Sequence, residues 1–321
     1  ENPHTAVVVG IPRKGLATEQ EKKTEEALAA YKASLSPEEV KKLVEQTRHL
    51  KEFQDAPDDP EALAALPMLK RSDIRRETVK LYNIPHQVGD TTVLHHDMET
   101  NGITYLTLLF DTRKVPDALI PYMGLLKSVL GYVDTEHYSY GELFNEINAR
   151  SGGISCGIQI FNQKDRNDDC TRMFGIRAKY LAPSEEFVFS MIREILKTSR
   201  LDDGKRLYEI IARQKARLQS SLAGAGHSTA VMRVSSYYSP GSYFQERIAG
   251  ISYFRLLEDL EKNFEQKREE LTENFRQLMK IIFRPENLMV SVVTDGKGYE
   301  NLEERVAGLK EELYTEEVPT G

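Results

Sequence analysis

The sequence is poor in cysteine, has no long apolar run and carries no excess of basic residues. Two cysteines in 321 residues, Cys156 and Cys170, are too few for a disulfide scaffold. No apolar run approaches the ~18 residues that cross a bilayer, so we expect no membrane partner. The net charge of −7 argues against nucleic acid as the main partner, because phosphate-binding surfaces usually carry a basic excess.

What remains is the composition of an ordinary globular protein, with 40% hydrophobic and 29% charged residues. The length suggests two domains, or one domain with a sizeable accessory element. Both cysteines fall on successive predicted strands. A turn near residues 164–166 would place Cys156 opposite about Phe174, not opposite Cys170. We therefore predict two reduced, half-buried thiols.

The N-terminal part carries elements that stand apart from a main domain. Residues 5–11 are rich in valine and predict a strand. No neighbouring strand is evident and the chain begins without Met. We therefore expect residues 1–16 to include the terminal strand of a preceding domain, in a sequence cut from a longer polypeptide.

Residues 17–54 predict an antiparallel helical hairpin. Thr18 with Glu21 and Ser36 with Glu39 each form a capping-box pattern, and Pro37 suits the first position of a helix. The short junction between the two helices favours antiparallel neighbours. Residues 55–76 contain proline-rich breaks and predict an extended, ordered linker.

Residues 77–321 predict one α+β domain. Strands are expected at Val79–Tyr82, Thr91–His95, Ile103–Asp111 and Leu288–Thr294, with a hairpin formed by Ile154–Ile160 and Phe174–Ala178. Helical patterns occupy 117–133, 140–151, 184–199, 205–223, 227–238, 250–264, 266–283 and 298–314. Strands first, then helices, then a strand and a helix favour a largely antiparallel sheet with helices packed on one face.

The richest cluster of metal-ligand residue types is His95-His96-Asp97-Met98-Glu99. In a strand, His95, Asp97 and Glu99 share one face and could ligate a metal. No second ligand cluster is evident, and the Thr-Asn-Gly turn signal follows at 100–102. We therefore favour the alternative, an exposed polar strand end.

The remaining candidates carry weaker signals. His137 and His227 lie near helix starts, and neither stands in a recognisable nucleophile motif. The glycine-rich segments 151–153 and 223–226 lack the phosphate-loop patterns and read as turns. The aromatic segment Tyr237–Phe244 fits a ligand-lining loop or a packed corner between helices, and we favour the corner.

Taken together, several segments resemble the middle of the presequence-protease-like zinc peptidases, a subfamily of the insulinase (pitrilysin) group. They follow that family's order: Leu-Ser-Pro-Glu-Glu at 35–39, Leu-Pro-x-Leu at 66–69, Thr-Asn-Gly-Ile-Thr-Tyr-Leu at 100–106, Tyr-Ser-Tyr-Gly-Glu-Leu at 138–143, Gly-Gly-Ile-Ser at 152–155 and Gly-His-Ser-x-Ala at 226–230. The resemblance implies the helical connector and the non-catalytic third domain of four homologous α+β domains.

The zinc motif of that family, His-x-x-Glu-His, is absent from this chain. The resemblance places Met123, Leu126 and Lys127 where the first His, the Glu and the second His would stand. These side chains cannot supply the ligands and water-activating carboxylate of a zinc peptidase. The family's Arg-x5-Tyr pair is absent too, since Arg233 is followed by tyrosines at 237 and 238. No cofactor is expected here, and zinc is expected in the parent enzyme.

Two functions follow from the resemblance. In the first, the chain is a non-catalytic segment of a zinc metallopeptidase that degrades peptides, and it forms the wall of a peptide chamber and the hinge between two halves. In the second, it is a stand-alone peptide-binding or scaffold module. Expected partners are the remaining domains of the polypeptide, an unfolded peptide, and other copies of the chain. A bacterial source implies the cytoplasm and a eukaryotic one an organelle.

Overall fold

The computed structural model describes residues 4, 6, 8–77, 80, 82–163 and 168–317. The chain divides into two compact units, Glu1–Val79 and Lys80–Gly321. No helix in these described ranges is both long enough and apolar enough to span a bilayer.

The first unit contains two long helices, α1 (Leu16–Ser34) and α2 (Pro37–Asp55), joined by a short break, as predicted. Ser36 and Glu39 form the expected reciprocal capping box at the start of α2. The cap predicted at Thr18 is wrong. Helix α1 already begins at Leu16, after Gly15 in a left-handed conformation, so Thr18 lies inside the first turn.

The strand predicted over 5–11 is also wrong where it can be tested. Residues 8–11 have no regular secondary structure, and residues 5 and 7 lie outside the described residues. A strand needs a pairing partner, and no described strand of this chain pairs with the segment. The linker at 55–76 contains a short helix, α3 (Pro60–Ala65), and a 3-10 turn at Arg71–Asp73.

The second unit is built on a six-stranded sheet. Its strands are β1 (Ile84–Val88), β2 (Thr91–Asp97), β3 (Ile103–Asp111), β4 (Ile154–Asn162), β5 (Cys170–Leu181) and β6 (Leu288–Thr294), in the spatial order β1-β2-β6-β3-β5-β4. Strand β2 pairs parallel with β6, and the other described pairs are antiparallel. The prediction of an α+β fold with a largely antiparallel sheet is therefore confirmed.

The first strand was predicted too early in the chain. Residues 80 and 82 have no strand structure, and Val79 lies outside the described residues. Strand β1 begins instead at Ile84 and forms a hairpin with β2 through Gly89-Asp90, with Gly89 at φ 64°. A two-residue turn containing glycine with positive φ is a hairpin signal.

The β4–β5 hairpin is confirmed with a different register. Cys156 pairs with Ile176 rather than Phe174, and Cys170 pairs with Asn162. The two cysteines therefore lie at opposite ends of the hairpin, as free thiols. Burial raises the pKa of the Cys156 thiol to about 12, which leaves it protonated and unreactive at neutral pH.

Ten helices follow the first three strands in the described ranges, close to the predicted bounds except at two places. They are α4 (Ile120–Val129), α5 (Tyr140–Arg150), α6 (Glu185–Thr198), α7 (Gly204–Gly224), α8 (Gly226–Ser235), α9 (Pro240–Ala249), α10 (Ile251–Lys262), α11 (Phe264–Ile282), α12 (Gly296–Tyr299) and α13 (Leu302–Glu311). The pattern at 298–314 is split between α12 and α13, and α9 was not predicted as a helix. Ser239 caps α9 and Pro240 is its first residue, the same signature that predicted α2.

The two faces of the sheet differ. On β3, the even-numbered residues from Thr104 to Phe110 are buried under the helices, which lie on one side. The odd-numbered positions, including Tyr105 and Thr107, belong to the opposite face. We call this opposite face the outer face; it also includes Lys179 and Leu181 of β5 and Ser291 of β6.

Candidate functional site

Helix α4 holds the three positions singled out in the sequence. Its residues are almost all apolar, so the helix packs into the core rather than on the surface. Met123 and Leu126 are fully buried and belong to the main hydrophobic cluster. Their surroundings are therefore apolar and contain no hydrated ligand position.

A neighbouring helix packs closely against the stretch of α4 that carries these residues. A Cβ atom on Gly124 would lie 2.9 Å from the carbonyl oxygen of Ile248 in α9. The hydroxyl of Tyr253 donates a hydrogen bond to the carbonyl oxygen of Gly124 at 3.3 Å. Contacts this close leave no open position for a metal with a bound water.

Lys127 is the only charged residue of α4. Its side chain is half-buried, and no ion pair to it is found in the described part of the chain. Burial lowers the pKa of its ammonium group, because desolvation disfavours the charged form. A lone amine of this kind supplies neither the ligand set nor the carboxylate of a hydrolytic zinc site.

The metal-ligand cluster around His95 is not assembled into a site. The expectation that it forms an exposed strand end is wrong for His95, which is buried, stacks on Tyr299 with ring centroids 4.2 Å apart and places Nε2 3.0 Å from the carbonyl oxygen of Thr294. Asp97 is exposed, and Glu99 accepts a hydrogen bond from the backbone N–H of Asn101. The described residues contain no group of three or more His, Cys, Asp or Glu that could hold a metal ion.

The other histidines are separated from one another. Nδ1 of His96 lies 3.1 Å from the carbonyl oxygen of Tyr82, and His227 is exposed at the start of α8. His137 pairs with Glu194 at 2.9 Å, and that contact raises the pKa of its imidazole. None of these contacts joins a histidine to a serine or cysteine nucleophile, as a catalytic triad requires.

The aromatic segment Tyr237–Phe244 is not a single loop. Phe244 is buried on α9, whereas Tyr237 and Tyr238 are exposed at the end of α8. Tyr243 donates a hydrogen bond to the carboxylate of Asp117 at 3.1 Å. The segment is thus partly the packed corner that we favoured and partly an exposed surface.

A groove of about 610 Å³ lies where the outer face meets the end of α5. It borders the part of β5 that extends beyond β4, since β4 begins opposite Ala178. Ten residues line it: Ile103, Tyr105, Ala149, Arg150, Ser151, Gly152, Lys179, Tyr180, Leu181 and Ser184. The volume is in the range of ligand sites, and the lining contains two cations and no acidic residue.

Both cations of the groove are held in place. The stem of Lys179 lies against Gly152, where an added Cβ would come within 2.6 Å of its Cγ. The guanidinium of Arg150 sits 3.9 Å above the ring of Phe187. Neither cation has an ion pair in the described residue ranges, so both charges are available to a ligand.

The sequence did not reveal this groove. Gly152 was interpreted only as a turn that allows close packing, which is correct as far as it goes. The signal that could have pointed further is the alternation of Lys179 and Leu181 at the end of a strand, which puts both on one face. Their position beside Arg150, about thirty residues earlier, depends on the β4–β5 register.

Comparison with known proteins gives a consistent result. The family described as associated with peptidases of group M16, subfamily C, matches residues 11–260. The protein HypA of Clostridium perfringens is 32% identical over 95% of this chain and 31% of its own length. Presequence protease 1, chloroplastic/mitochondrial, of Arabidopsis thaliana is 27% identical over 95% of this chain and 28% of its own length.

The chain thus spans about a third of the length of these relatives. A conserved protein from Enterococcus faecalis V583 has a similar fold, with a TM-score of 0.50 and 14% identity over 71% of this chain and 52% of that one. The family match covers most of the chain, and one relative is 32% identical over nearly all of it. The chain therefore belongs to this peptidase-associated family and is a non-catalytic middle region of a presequence-protease-like M16 peptidase.

Proposed function

We propose that this chain forms one wall of a peptide chamber in a zinc-dependent metallopeptidase. The observation that carries the proposal is the asymmetry of the sheet, since the helices cover one face and the outer face is left open. Tyr105 and Leu181 on that face are 45% and 56% exposed. An open face that mixes apolar and polar side chains suits extended peptides of varied sequence.

The same proposal assigns no chemistry to α4. Met123, Leu126 and Lys127 stand at the positions that the resemblance relates to the zinc motif, and the first two are packed into the core. In this proposal the zinc and the catalytic residues belong to another part of the parent enzyme. The chain then acts through shape and binding, and not through hydrolysis.

We further propose that residues 17–54 are the hinge between two halves of that enzyme. Helices α1 and α2 contain no buried residue, and apolar side chains such as Leu28 and Leu43 are 61% and 48% exposed. Exposed apolar patches of this kind mark surfaces that contact other protein. The remaining domains of the same polypeptide are the partners that fit.

The alternative is a stand-alone peptide-binding module, which the groove beside β5 favours equally. The parent reading frame distinguishes the two. An upstream His-x-x-Glu-His supports the chamber wall, and a reading frame without one supports the module. The relatives named above are bacterial and organellar, so a cytoplasmic location for a bacterial source and an organellar one for a eukaryotic source remain our expectation.

The absence of chemistry is tested on the purified chain. We expect no peptidase activity and no stoichiometric zinc, because buried Met123 and Leu126 offer no ligand. Metal analysis that finds one zinc per chain, lost when His95 and Asp97 are both replaced, would overturn this assignment.

The chamber wall is tested in the full-length parent enzyme. Thr107 lies in the middle of the outer face, between Arg177 on β5 and Ser291 on β6. We expect Thr107→Trp to lower kcat/KM for a long unfolded peptide several-fold, with bound zinc and Tm unchanged. Thr107→Ser, which nearly keeps the size of the side chain, is the control. Equal kcat/KM values for the Trp variant and the native enzyme would argue against a peptide-facing role.

A further inference from the structure

We propose that the groove beside β5 is a subsite for an acidic side chain of an extended peptide, with an apolar side chain of the same peptide bound two residues away. The inference rests on the proposed role of the outer face in peptide binding. It adds a sequence preference, a glutamate or aspartate next-but-one to an apolar residue.

The spacing comes from the strand register. Lys179 pairs with Tyr105, and Leu181 pairs with Ile103, all on the outer face. The two pairs are two residues apart along β5, which is roughly 7 Å in a strand. Alternate side chains of an extended peptide have the same separation, so one can meet the Lys179–Tyr105 pair while the next meets the Leu181–Ile103 pair.

The charge comes from Lys179 and Arg150. Both lie in the groove lining, which contains no acidic side chain to neutralise them. The chain as a whole is acidic, with a net charge of −7, so a groove with two cations and no acid stands out from the average surface. A carboxylate is the peptide group that such a pair binds most strongly, through charge-assisted hydrogen bonds.

The geometry is restricted by Gly152. Because the stem of Lys179 lies where a Cβ of residue 152 would be, its ammonium group has a limited set of positions. The φ angle of Gly152 is not in the left-handed region, unlike that of Gly153. Replacing Gly152 by alanine therefore moves the Lys179 side chain without backbone strain, which separates the position of the charge from its presence.

The experiment uses fluorescence anisotropy on the 321-residue chain. The probe is a short, end-blocked, labelled peptide of serine and glycine with one Glu and one Leu two positions apart, and the matched probe has Gln in place of Glu. Blocked ends exclude a contribution from the peptide's terminal carboxylate. We expect the Glu probe to bind about tenfold more tightly, since a hydrogen bond to a charged group has this order of effect.

Three variants locate the effect. Lys179→Met keeps the aliphatic stem and should remove the difference between the two probes. Gly152→Ala should weaken binding of the Glu probe several-fold, although the charge is retained. Lys51→Met, on the exposed surface of α2, makes the same change in net charge and should leave both affinities unchanged. Thermal unfolding of each variant confirms that the fold is retained.

The outcomes separate this inference from the proposed function. Equal affinities for the Glu and Gln probes would overturn the acidic subsite and leave the peptide-facing wall intact. An equal loss of affinity in Lys51→Met and Lys179→Met would also overturn it, because the attraction would then follow net charge. No binding of either probe at millimolar concentration would overturn both proposals.

Discussion

Lys127 places a charge on a helix that otherwise packs into the core. Burial lowers the pKa of its ammonium group below the ordinary value of 10.5. A lowered pKa for a base means that the folded state disfavours the charged form, so the lysine costs stability at neutral pH. The position thus combines a side chain unsuited to zinc chemistry with an energetic penalty.

We predict that Lys127→Met raises the free energy of unfolding at pH 7 by about 1 kcal/mol, since it removes that penalty and keeps the apolar stem. The gain should shrink as the pH rises towards 10.5, because the unfolded-state lysine then loses its proton as well. Urea unfolding at several pH values measures it. The exposed Lys51→Met is the control, and a gain independent of pH would contradict the explanation.

Glu194 and His137 form a second pair whose effect depends on pH. Burial opposes ionisation of Glu194, but hydrogen bonds from Thr135, His137 and Thr198 outweigh it and lower the pKa of the carboxyl to about 2. The hydrogen bond to Glu194 raises the pKa of His137. The carboxylate therefore contributes stability above about pH 4.5, and the imidazolium contributes below about pH 6.5.

We predict that His137→Asn lowers stability most between those two pH values, where both partners are charged in the folded state. Above the raised pKa of His137 the imidazole is neutral and the loss should be smaller. Thermal unfolding at about pH 5.5 and about pH 8.5 compares the two regimes. A loss that is as large at the higher pH would show that the pair acts through shape and not through charge.

At the scale of elements, the contact between α4 and α9 is the closest of the helix pairs described above. Gly124 allows it, because any side chain there would meet the backbone of Ile248. Alanine is ordinarily favoured over glycine inside a helix by about 1 kcal/mol. At this position the packing reverses that preference.

We predict that Gly124→Ala lowers the free energy of unfolding by about 1–3 kcal/mol, the usual cost of overpacking a core. Gly141, in the first turn of α5, is the matched control, because a Cβ there meets nothing within 4 Å. Gly141→Ala should be neutral or stabilising by about 0.5 kcal/mol. The urea midpoints of the two variants should therefore move in opposite directions, and a shift to higher stability in Gly124→Ala would contradict the packing argument.

Local signals predicted most of the elements well. The caps at Ser36 and Ser139 mark their helices correctly, because a cap depends on residues three apart. Helix α9 has the same kind of start at Ser239 and Pro240 and was missed because the aromatic residues around it suggested a loop. The position of β1 was missed because the Gly89-Asp90 turn was not weighed against the flanking residues.

At the scale of the whole molecule, the groove shows what sequence alone cannot give. Arg150 and Lys179 come together only through the register of β4 on β5, which was predicted two residues out. The sequence specified that Lys179 and Leu181 share a face, but not which face the helices cover. The fold class depends on patterns within elements, whereas the site depends on distances between them.

We predict that the chain self-associates as its concentration rises, through the exposed apolar residues of α2. Leu50 and Phe53 line a surface groove and are 54% and 74% exposed. Burying one such side chain contributes ~1.5–3 kcal/mol, so a few together suffice for weak association. Light scattering should show a mass that rises with concentration, and Phe53→Glu should reduce the rise.

Lys51→Glu, on the same helix, is the control for added negative charge. A strictly monomeric chain at high concentration, with no binding to separately expressed domains of the parent enzyme, would contradict this prediction.

The position of β6 has a consequence for the order in which the chain can fold. Val290 pairs with Val93 on one side and with Leu108 on the other, so the middle of the sheet is filled by a segment that is synthesised long after β2 and β3. Until then β2 and β3 have no strand between them. The family match ends at residue 260, well before β6. A shortened chain that stops there would expose the buried sides of Val93 and Leu106 and leave two strand edges unpaired, and it would aggregate during synthesis.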